Sequence, residues 1–175
     1  MRRGGWYAVV LAVCAAGCGV GSSGPDPVGA PASGLPAAAP SRETRLYFAG
    51  PYGLRATVRE VAAPATPQQA LDLLLKGPDA DERARGLTTE ISPDFRSTTA
   101  RVAHGGVDLH LPLPVSSITG SGLGLQQIVC TVANASVPGG RRGPEVDIRV
   151  HEEGYETVWT LRCDAAGNVR PVQQS

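Results

Sequence analysis

Four cysteines carry the clearest chemistry in this sequence. Cys14 and Cys18 lie four positions apart after an apolar run, whereas Cys130 and Cys163 lie far along the chain. A thiol can accept a lipid, form a disulfide or ligate a metal, and its surroundings decide which. The sequence contains no C-x-x-C pair, so it lacks the common zinc-binding and dithiol patterns.

The first cysteine pair lies in a segment with the features of an export leader. Arg2 and Arg3 supply positive charge, and residues 6–16 are apolar or small. This run suits the apolar region of a signal peptide and is shorter than the ~20 residues needed to cross a bilayer. We therefore expect residues 1–17 to be a lipoprotein signal peptide rather than a transmembrane helix.

The residues around Cys18 resemble a bacterial lipobox. Residues 15–17 are small, which lets a signal peptidase bind the extended backbone, and the Cys18 thiol can then accept the lipid. Bulky Val13 precedes Cys14, so Cys14 is expected to leave with the leader. Cys18 is the predicted lipidation site, and ordinary secretory cleavage within the same small residues is the alternative.

A lipid on Cys18 makes the membrane an expected partner, because each buried methylene of two acyl chains contributes about 0.8 kcal/mol. The expected location is the extracytoplasmic face of the cell membrane. Residues 18–41 are rich in Gly, Ser, Ala and Pro, a composition that cannot bury enough apolar surface to fold. They are predicted to form a tether to a domain at residues 42–175.

Cys130 and Cys163 are then the remaining pair. Thiols of exported proteins usually oxidise when they lie close together. A bond across this separation would contribute roughly 3–4 kcal/mol in the chain-entropy model. We expect a disulfide between Cys130 and Cys163, with two buried reduced cysteines as the alternative.

The three histidines form no recognisable catalytic pattern. His104 and His151 lie in or beside predicted turns, and His110 lies on the outward side of a predicted strand. The sequence has no H-E-x-x-H or G-x-S-x-G motif. We expect solvated histidines, no catalytic residues and no cofactor.

The carboxylates are also poorly placed for chemistry. Adjacent residues on a strand point to opposite faces, so Glu152 and Glu153 cannot form a facing acid–base pair and are predicted to lie in a turn. Asp79, Asp81 and Glu82 lack the spacing of an EF-hand calcium loop. No metal site is predicted.

The charge balance argues against a nucleic-acid partner. Acidic and basic side chains number 16 each, and loss of Arg2 and Arg3 would leave a weakly acidic mature chain. Binding to phosphates requires a basic surface. No nucleic acid is therefore expected to bind.

Hydrophobic patterning predicts an α+β domain, with two helices packed on one mixed or antiparallel sheet. The first helix begins at Thr66, with Pro67 in its first turn and Gln69 closing a capping box, and it ends at Gly77-Pro78. The second helix is predicted over residues 121–135. Strands are predicted at 45–49, 54–61, 97–103, 107–113, 145–150 and 157–163, with a strand or extended edge at 86–91 and a charged connector at 79–85.

Two details of these elements can also be predicted. Gly105 and Gly106 can take the positive φ angles of a tight hairpin turn. The second helix has apolar residues at helical spacing that are predicted to face the core, namely Leu125, Ile128, Val129 and Val132.

Three short blocks of the sequence are informative when they are taken as a set. They are Leu87-Thr-Thr-Glu-Ile91 after Lys76-Gly77-Pro78, then Gly105-Gly106-Val107-Asp108-Leu109, and then Leu125-Gln126-Gln127-Ile128-Val129-Cys130-Thr131. Together they resemble the GerM-type sporulation and germination domain (GerMN), over most of residues 46–150. The chain departs from that pattern at Cys130, where the family commonly has an aromatic residue, and at residues 155–175, which extend beyond the core module.

The resemblance implies a small α+β module found in exported or membrane-anchored envelope proteins of bacteria. It brings no established catalytic residues. It also implies a relation in fold to ring-building modules of envelope complexes, so a homo-oligomer is one expected assembly.

Two functions follow from the sequence. The leading hypothesis is a non-catalytic binding or assembly module for an envelope protein or a cell-wall polymer, because an anchor and tether precede a domain without a catalytic pattern. The alternative is a hydrolase acting on wall material, with a site formed by His104, His110 or His151 and nearby carboxylates.

Overall fold

The computed structural model describes residues 42–117, 122–141 and 143–172. The predicted signal peptide, Cys18 and residues 18–41 lie outside this part. In chain order the elements are β1 (Glu43–Gly50), β2 (Gly53–Glu60), α1 (Pro67–Leu75), α2 (Ala80–Ala84), β3 (Thr99–Ala103), β4 (Gly106–Leu111), α3 (Leu123–Ala133), β5 (Ile148–Glu152), β6 (Val158–Cys163) and β7 (Val169–Pro171), with 3-10 turns at Pro93–Phe95, Val115–Ser117 and Gly143–Glu145. Helices and sheets together make an α+β domain, as predicted.

The strands form two sheets where the sequence predicts one. β1 and β2 pair as an antiparallel hairpin, and a second sheet has the order β3-β4-β5-β6-β7. β4 and β5 are parallel and the other neighbours antiparallel, so the larger sheet is mixed. The sheets stay separate because side chains of α3 occupy the outer edge of β1: Tyr47 N donates to Thr131 Oγ1 (3.1 Å), and Gln127 Nε2 donates to the Tyr47 carbonyl (3.2 Å).

The core lies between α1, α3 and one face of the larger sheet. Every second residue of β4 is buried there, which matches the predicted alternation. On α3, Ile128, Val129 and Val132 are fully buried as predicted, whereas Leu125 is only half-buried. None of the helices in the described ranges is long and apolar enough to span a membrane.

The start of α1 follows the predicted capping pattern. The Thr66 hydroxyl accepts from Gln69 N (3.3 Å), and Gln69 Oε1 accepts from Thr66 N (2.9 Å), with Pro67 as the first helical residue. The helix ends at Leu75, before Gly77, whose φ of +81° suits a glycine. These local signals therefore determine both ends of the helix.

Two segments between α1 and β3 differ from the predicted elements. The charged connector at 79–85 contains the helix α2, because Asp79 and Glu82 form a capping box. Residues 86–91 form an extended edge rather than a full strand, and they pair with β1 through Thr88 and Ala49, whose two backbone hydrogen bonds are 2.9 and 2.8 Å long. Two residues after Thr88, Glu90 N donates to Gln127 Oε1 (2.8 Å) instead of to a strand.

The turn between β3 and β4 lies one residue earlier than predicted. His104 and Gly105, with φ of +46° and +72°, make the turn, and Gly106 pairs with Ala103 as the first residue of β4. The Asp147 carbonyl lies against Gly106 and leaves no space there for a side chain. The same carbonyl accepts a hydrogen bond from Val107 N (2.9 Å). Gly106 thus serves the close approach of two strands rather than the turn.

The C-terminal strands also differ in detail from the prediction. β5 begins at Ile148 because Gly143–Glu145 forms a 3-10 turn. β7 was not expected from the sequence, since its three residues are too few to show alternation and include a proline. It pairs antiparallel with the end of β6.

Candidate functional site

The outer face of the five-stranded sheet carries a cluster of polar side chains. Asp108 and His110 alternate with buried residues on β4, and Arg149 and His151 do so on β5. The parallel pairing sets Asp108 beside Arg149 and His110 beside His151. Arg101 of β3 pairs with Asp108 and lies on the same face. We call these five residues the polar sheet face.

Four side chains of the polar sheet face contact one another, namely Asp108, Arg149, His110 and His151. Arg149 Nε donates to Asp108 Oδ1 (2.5 Å), and another guanidinium nitrogen donates to the Ala103 carbonyl (2.6 Å). The imidazole rings of His110 and His151 stack, with centroids 4.5 Å apart and an angle of 17° between the rings. His151 Nε2 lies 3.6 Å from Asp108 Oδ1.

These contacts shift two pKa values. Burial would raise the pKa of the Asp108 carboxyl, but the hydrogen bond and charge of Arg149 outweigh burial and lower it. Burial, the nearby His151 and Arg101 together lower the pKa of His110, against an opposing effect of Asp108. At neutral pH the cluster therefore holds an ionised Asp108 and an uncharged His110.

A surface groove of about 300 Å³ adjoins the two histidines. Its walls contain the residue types that a hydrolase uses, namely His110, His151, the hydroxyls of Ser97 and Thr99, and the carboxylates of Glu152 and Glu153. However, Glu152 Oε1 accepts from Val115 N (2.8 Å), and the buried His151 Nε2 has no hydrogen-bond partner in the described part of the chain. Among the described residues, no hydrogen-bonded chain of the kind that activates a hydroxyl nucleophile is therefore formed in the groove.

The structure brings together two of the three histidines that the sequence offers as site residues. His110 points outward, as predicted, and His151 lies near the end of β5, two residues before the turn that begins at Glu153. His104 is exposed in the turn at the other end of β4. Within the described ranges, no group of three His, Cys, Asp or Glu side chains is arranged to hold a metal ion.

Asp79 and Glu82, the acidic residues that begin α2, stabilise the fold. Asp79 Oδ1 accepts from Glu82 N (2.8 Å), and the Glu82 carboxylate accepts from Asp79 N (2.8 Å) and from Arg59 Nε (3.1 Å). Glu82 is 1% exposed. These contacts join β2 to the short helix.

A disulfide joins Cys130 on α3 to Cys163 at the end of β6, with a Cα–Cα distance of 5.1 Å. Both cysteines are fully buried. The bond fixes the helix against the edge region of the five-stranded sheet, beside the turn that leads to β7. Cys18, the predicted lipidation site, lies outside the described residues.

The polar residues that the sequence reading missed are Gln127 and Thr131. They lie one helical turn apart on α3 and are fully buried, where they satisfy the backbone of β1 and of the segment before β3. A signal was present: two polar residues at i and i+4 interrupt a face that is otherwise apolar. Such residues are retained in a core only when they find hydrogen-bond partners.

Comparison with known proteins identifies the domain at the level of a family. A family model described as "Germane: Sporulation and spore germination" matches residues 45–150. The match runs from β1 to β5 and includes α3 with both buried polar residues. No curated protein and no solved structure matches the chain. Because the matched segment is more than half of the 175 residues, and because the fold and motifs agree with the resemblance, the chain belongs to the Germane (GerMN-type) sporulation and spore germination family.

Proposed function

We propose that this chain is a lipid-anchored envelope protein whose domain binds another envelope protein or a cell-wall polymer without catalysing a reaction. The observation that carries the binding role is the polar sheet face. Its charges and imidazoles are held in fixed positions by Arg149 and by ring stacking, yet they lie outside the core. A preorganised polar surface suits hydrogen bonding to a polar partner.

Exposed apolar side chains adjoin this face and support the same proposal. Val158 pairs with His151 across β5 and β6 and so continues the polar sheet face. Val158 is 38% exposed, and Tyr155, in the loop between β5 and β6, is 59% exposed. Trp159 is also exposed, but it pairs with Val150 and so lies on the opposite face of the sheet. Aromatic residues beside polar groups are enriched in protein interfaces.

The proposed location rests on the N-terminal sequence and on the disulfide. Small residues precede Cys18, and a tract rich in Gly, Ser, Ala and Pro follows it. A disulfide between Cys130 and Cys163 suits an exported protein, because cytosolic thiols are usually kept reduced. A second copy of this chain is one of the envelope partners that we propose.

We predict that Cys18→Ala abolishes membrane anchoring. In a bacterial host, the unsubstituted chain should sediment with membranes and incorporate labelled palmitate, because acyl chains bury many methylenes. The Cys18→Ala variant should be unlabelled and should leave the membrane fraction. Cys14→Ala is the matched control and should behave like the unsubstituted chain. A Cys18→Ala variant that still incorporates palmitate would disprove the anchor.

In-cell photo-crosslinking tests the binding role. A photoreactive residue replaces Arg101, on the polar sheet face, and in a second variant it replaces Arg55, on β2. Both arginines are exposed on strands, so the two substitutions disturb the domain to a similar degree. The two positions therefore compare two surfaces of one folded protein.

A further inference from the structure

A second cavity has the composition of a small-molecule site. It has a volume of about 350 Å³ and lies between β1, the end of α3 and the turn that joins β6 to β7. This volume falls within the range of ligand pockets. The cavity shares no residue with the polar sheet face.

One wall of the cavity comes from alternate residues of β1. Glu43, Arg45 and Tyr47 share a face of the strand because side chains repeat every second residue. Tyr47 is buried, whereas Glu43 and Arg45 are exposed. Neither charge is in an ion pair within the part of the chain that the structure describes. An anion and a cation are therefore available, two residues apart, to a ligand in the cavity.

The opposite wall favours a positive charge. Asn134 Nδ2 donates to the Cys130 carbonyl (2.9 Å), which leaves Asn134 Oδ1 as an acceptor beside Gly143. Asn134 also caps the C-terminal end of α3, where the helix dipole places partial negative charge. Asp164 completes the lining, but its carboxylate already accepts two backbone amides of the turn, from Ala166 and Asn168 (2.9 Å each).

We propose that this cavity binds a small zwitterion of the amino-acid or short-peptide class. The ligand carboxylate binds the Arg45 guanidinium, and its ammonium binds the Glu43 carboxylate and Asn134 Oδ1. This site goes beyond the proposed function, which concerns a macromolecular partner on the polar sheet face. The disulfide holds the site together, because Asn134 lies one turn after Cys130 and Asp164 directly follows Cys163.

Calorimetric titration with L-alanyl-L-alanine tests the proposal. The full-length chain in detergent micelles is titrated with the dipeptide, with its N-acetyl derivative and with its C-terminal amide. The dipeptide should bind with one-to-one stoichiometry, and each blocked peptide should bind at least about tenfold more weakly, because it lacks one charged hydrogen bond. Absence of binding at about 10 mM dipeptide, or equal binding of the blocked peptides, would overturn the proposal.

Two variants locate the binding to the cavity. Arg45→Gln and Glu43→Gln should each weaken dipeptide binding by about tenfold or more. Arg45→Gln should have little further effect on the affinity for the C-terminal amide, because this peptide has no carboxylate to bind the guanidinium. The control is Arg55→Gln, on the other face of the same hairpin, which should leave the affinity unchanged. Equal affinities for the Arg45→Gln and Arg55→Gln variants would place the peptide elsewhere, while leaving the crosslinking test of the polar sheet face intact.

Discussion

Replacing Glu82 by alanine is expected to destabilise the domain by about 3–5 kcal/mol, because it leaves the Arg59 guanidinium charged and largely buried without its carboxylate. The Glu82 side chain is 2% exposed and the Arg59 side chain is 17% exposed. Arg59 also donates to the Gly77 carbonyl (2.9 Å) and lies 5.4 Å from the centroid of the Phe48 ring. One ion pair therefore connects β2, the end of α1 and α2.

Urea unfolding of the Glu82→Ala variant measures this effect. Asp81→Ala is the matched control: its side chain is the exposed neighbour on the same short helix, and its loss should change the free energy of unfolding by about 0.5 kcal/mol or less. If both substitutions lowered the free energy of unfolding by a similar amount, the Arg59–Glu82 pair would not contribute the stability that we expect.

The same pair should make stability depend on pH on the acidic side. Burial raises the pKa of Glu82, but hydrogen bonds from Arg59 and from the Asp79 amide outweigh burial and hold the pKa below its ordinary value of 4.5. The carboxylate thus stabilises the fold above the pKa of the unfolded state, and this contribution is lost as pH falls through the folded-state pKa. The stability difference between the unsubstituted chain and Glu82→Gln should shrink between about pH 7 and about pH 3. A stability difference that stays the same over this pH range would contradict the lowered pKa of Glu82.

Loss of the disulfide is the second large effect that we expect. The double variant Cys130→Ala/Cys163→Ala should lose about 3–4 kcal/mol of stability, because the bond closes a loop with a sequence separation of 33 residues in the unfolded chain. Reductant should destabilise the unsubstituted chain by a similar amount and leave the double variant unaffected. Mass spectrometry of the unreduced native protein should find no alkylated thiol at either position. Alkylation of both cysteines would mean that the bond is absent.

Local features of this fold could be predicted from the sequence because their causes lie within a few residues. Thr66, Pro67 and Gln69 determine the start of α1, and the alternation of β4 determines which face is buried. The α+β class follows from such elements. The pairing of Cys130 with Cys163 was expected only because no other cysteines were left for it.

The features that could not be predicted depend on contacts between distant segments. α2 is short and highly charged, and its Glu82 pairs with Arg59, which lies 23 residues earlier in the chain. The division into two sheets depends on Gln127 and Thr131, which reach β1 across 80 and 84 residues. A single sequence gives no information on such pairings.

The histidine cluster illustrates the same limit at the candidate site. His110 and His151 read as separate solvated residues, because the predicted strand ends at residue 150 whereas β5 extends through His151 to Glu152. They stack because β4 and β5 pair in parallel with these residues in register, a pairing that requires α3 as the connection. Only this register sets the two rings side by side and brings His151 Nε2 within 3.6 Å of Asp108 Oδ1.

The most direct measurement of the central claim is the comparison of in-cell crosslinks from positions 101 and 55. We predict that the photoreactive residue at position 101 gives a discrete crosslinked product with an envelope protein, a cell-wall fragment or a second copy of this chain. The residue at position 55 should give none of that product. Equal products from both positions, or no product from position 101 in cells where the protein is anchored, would contradict binding through the polar sheet face.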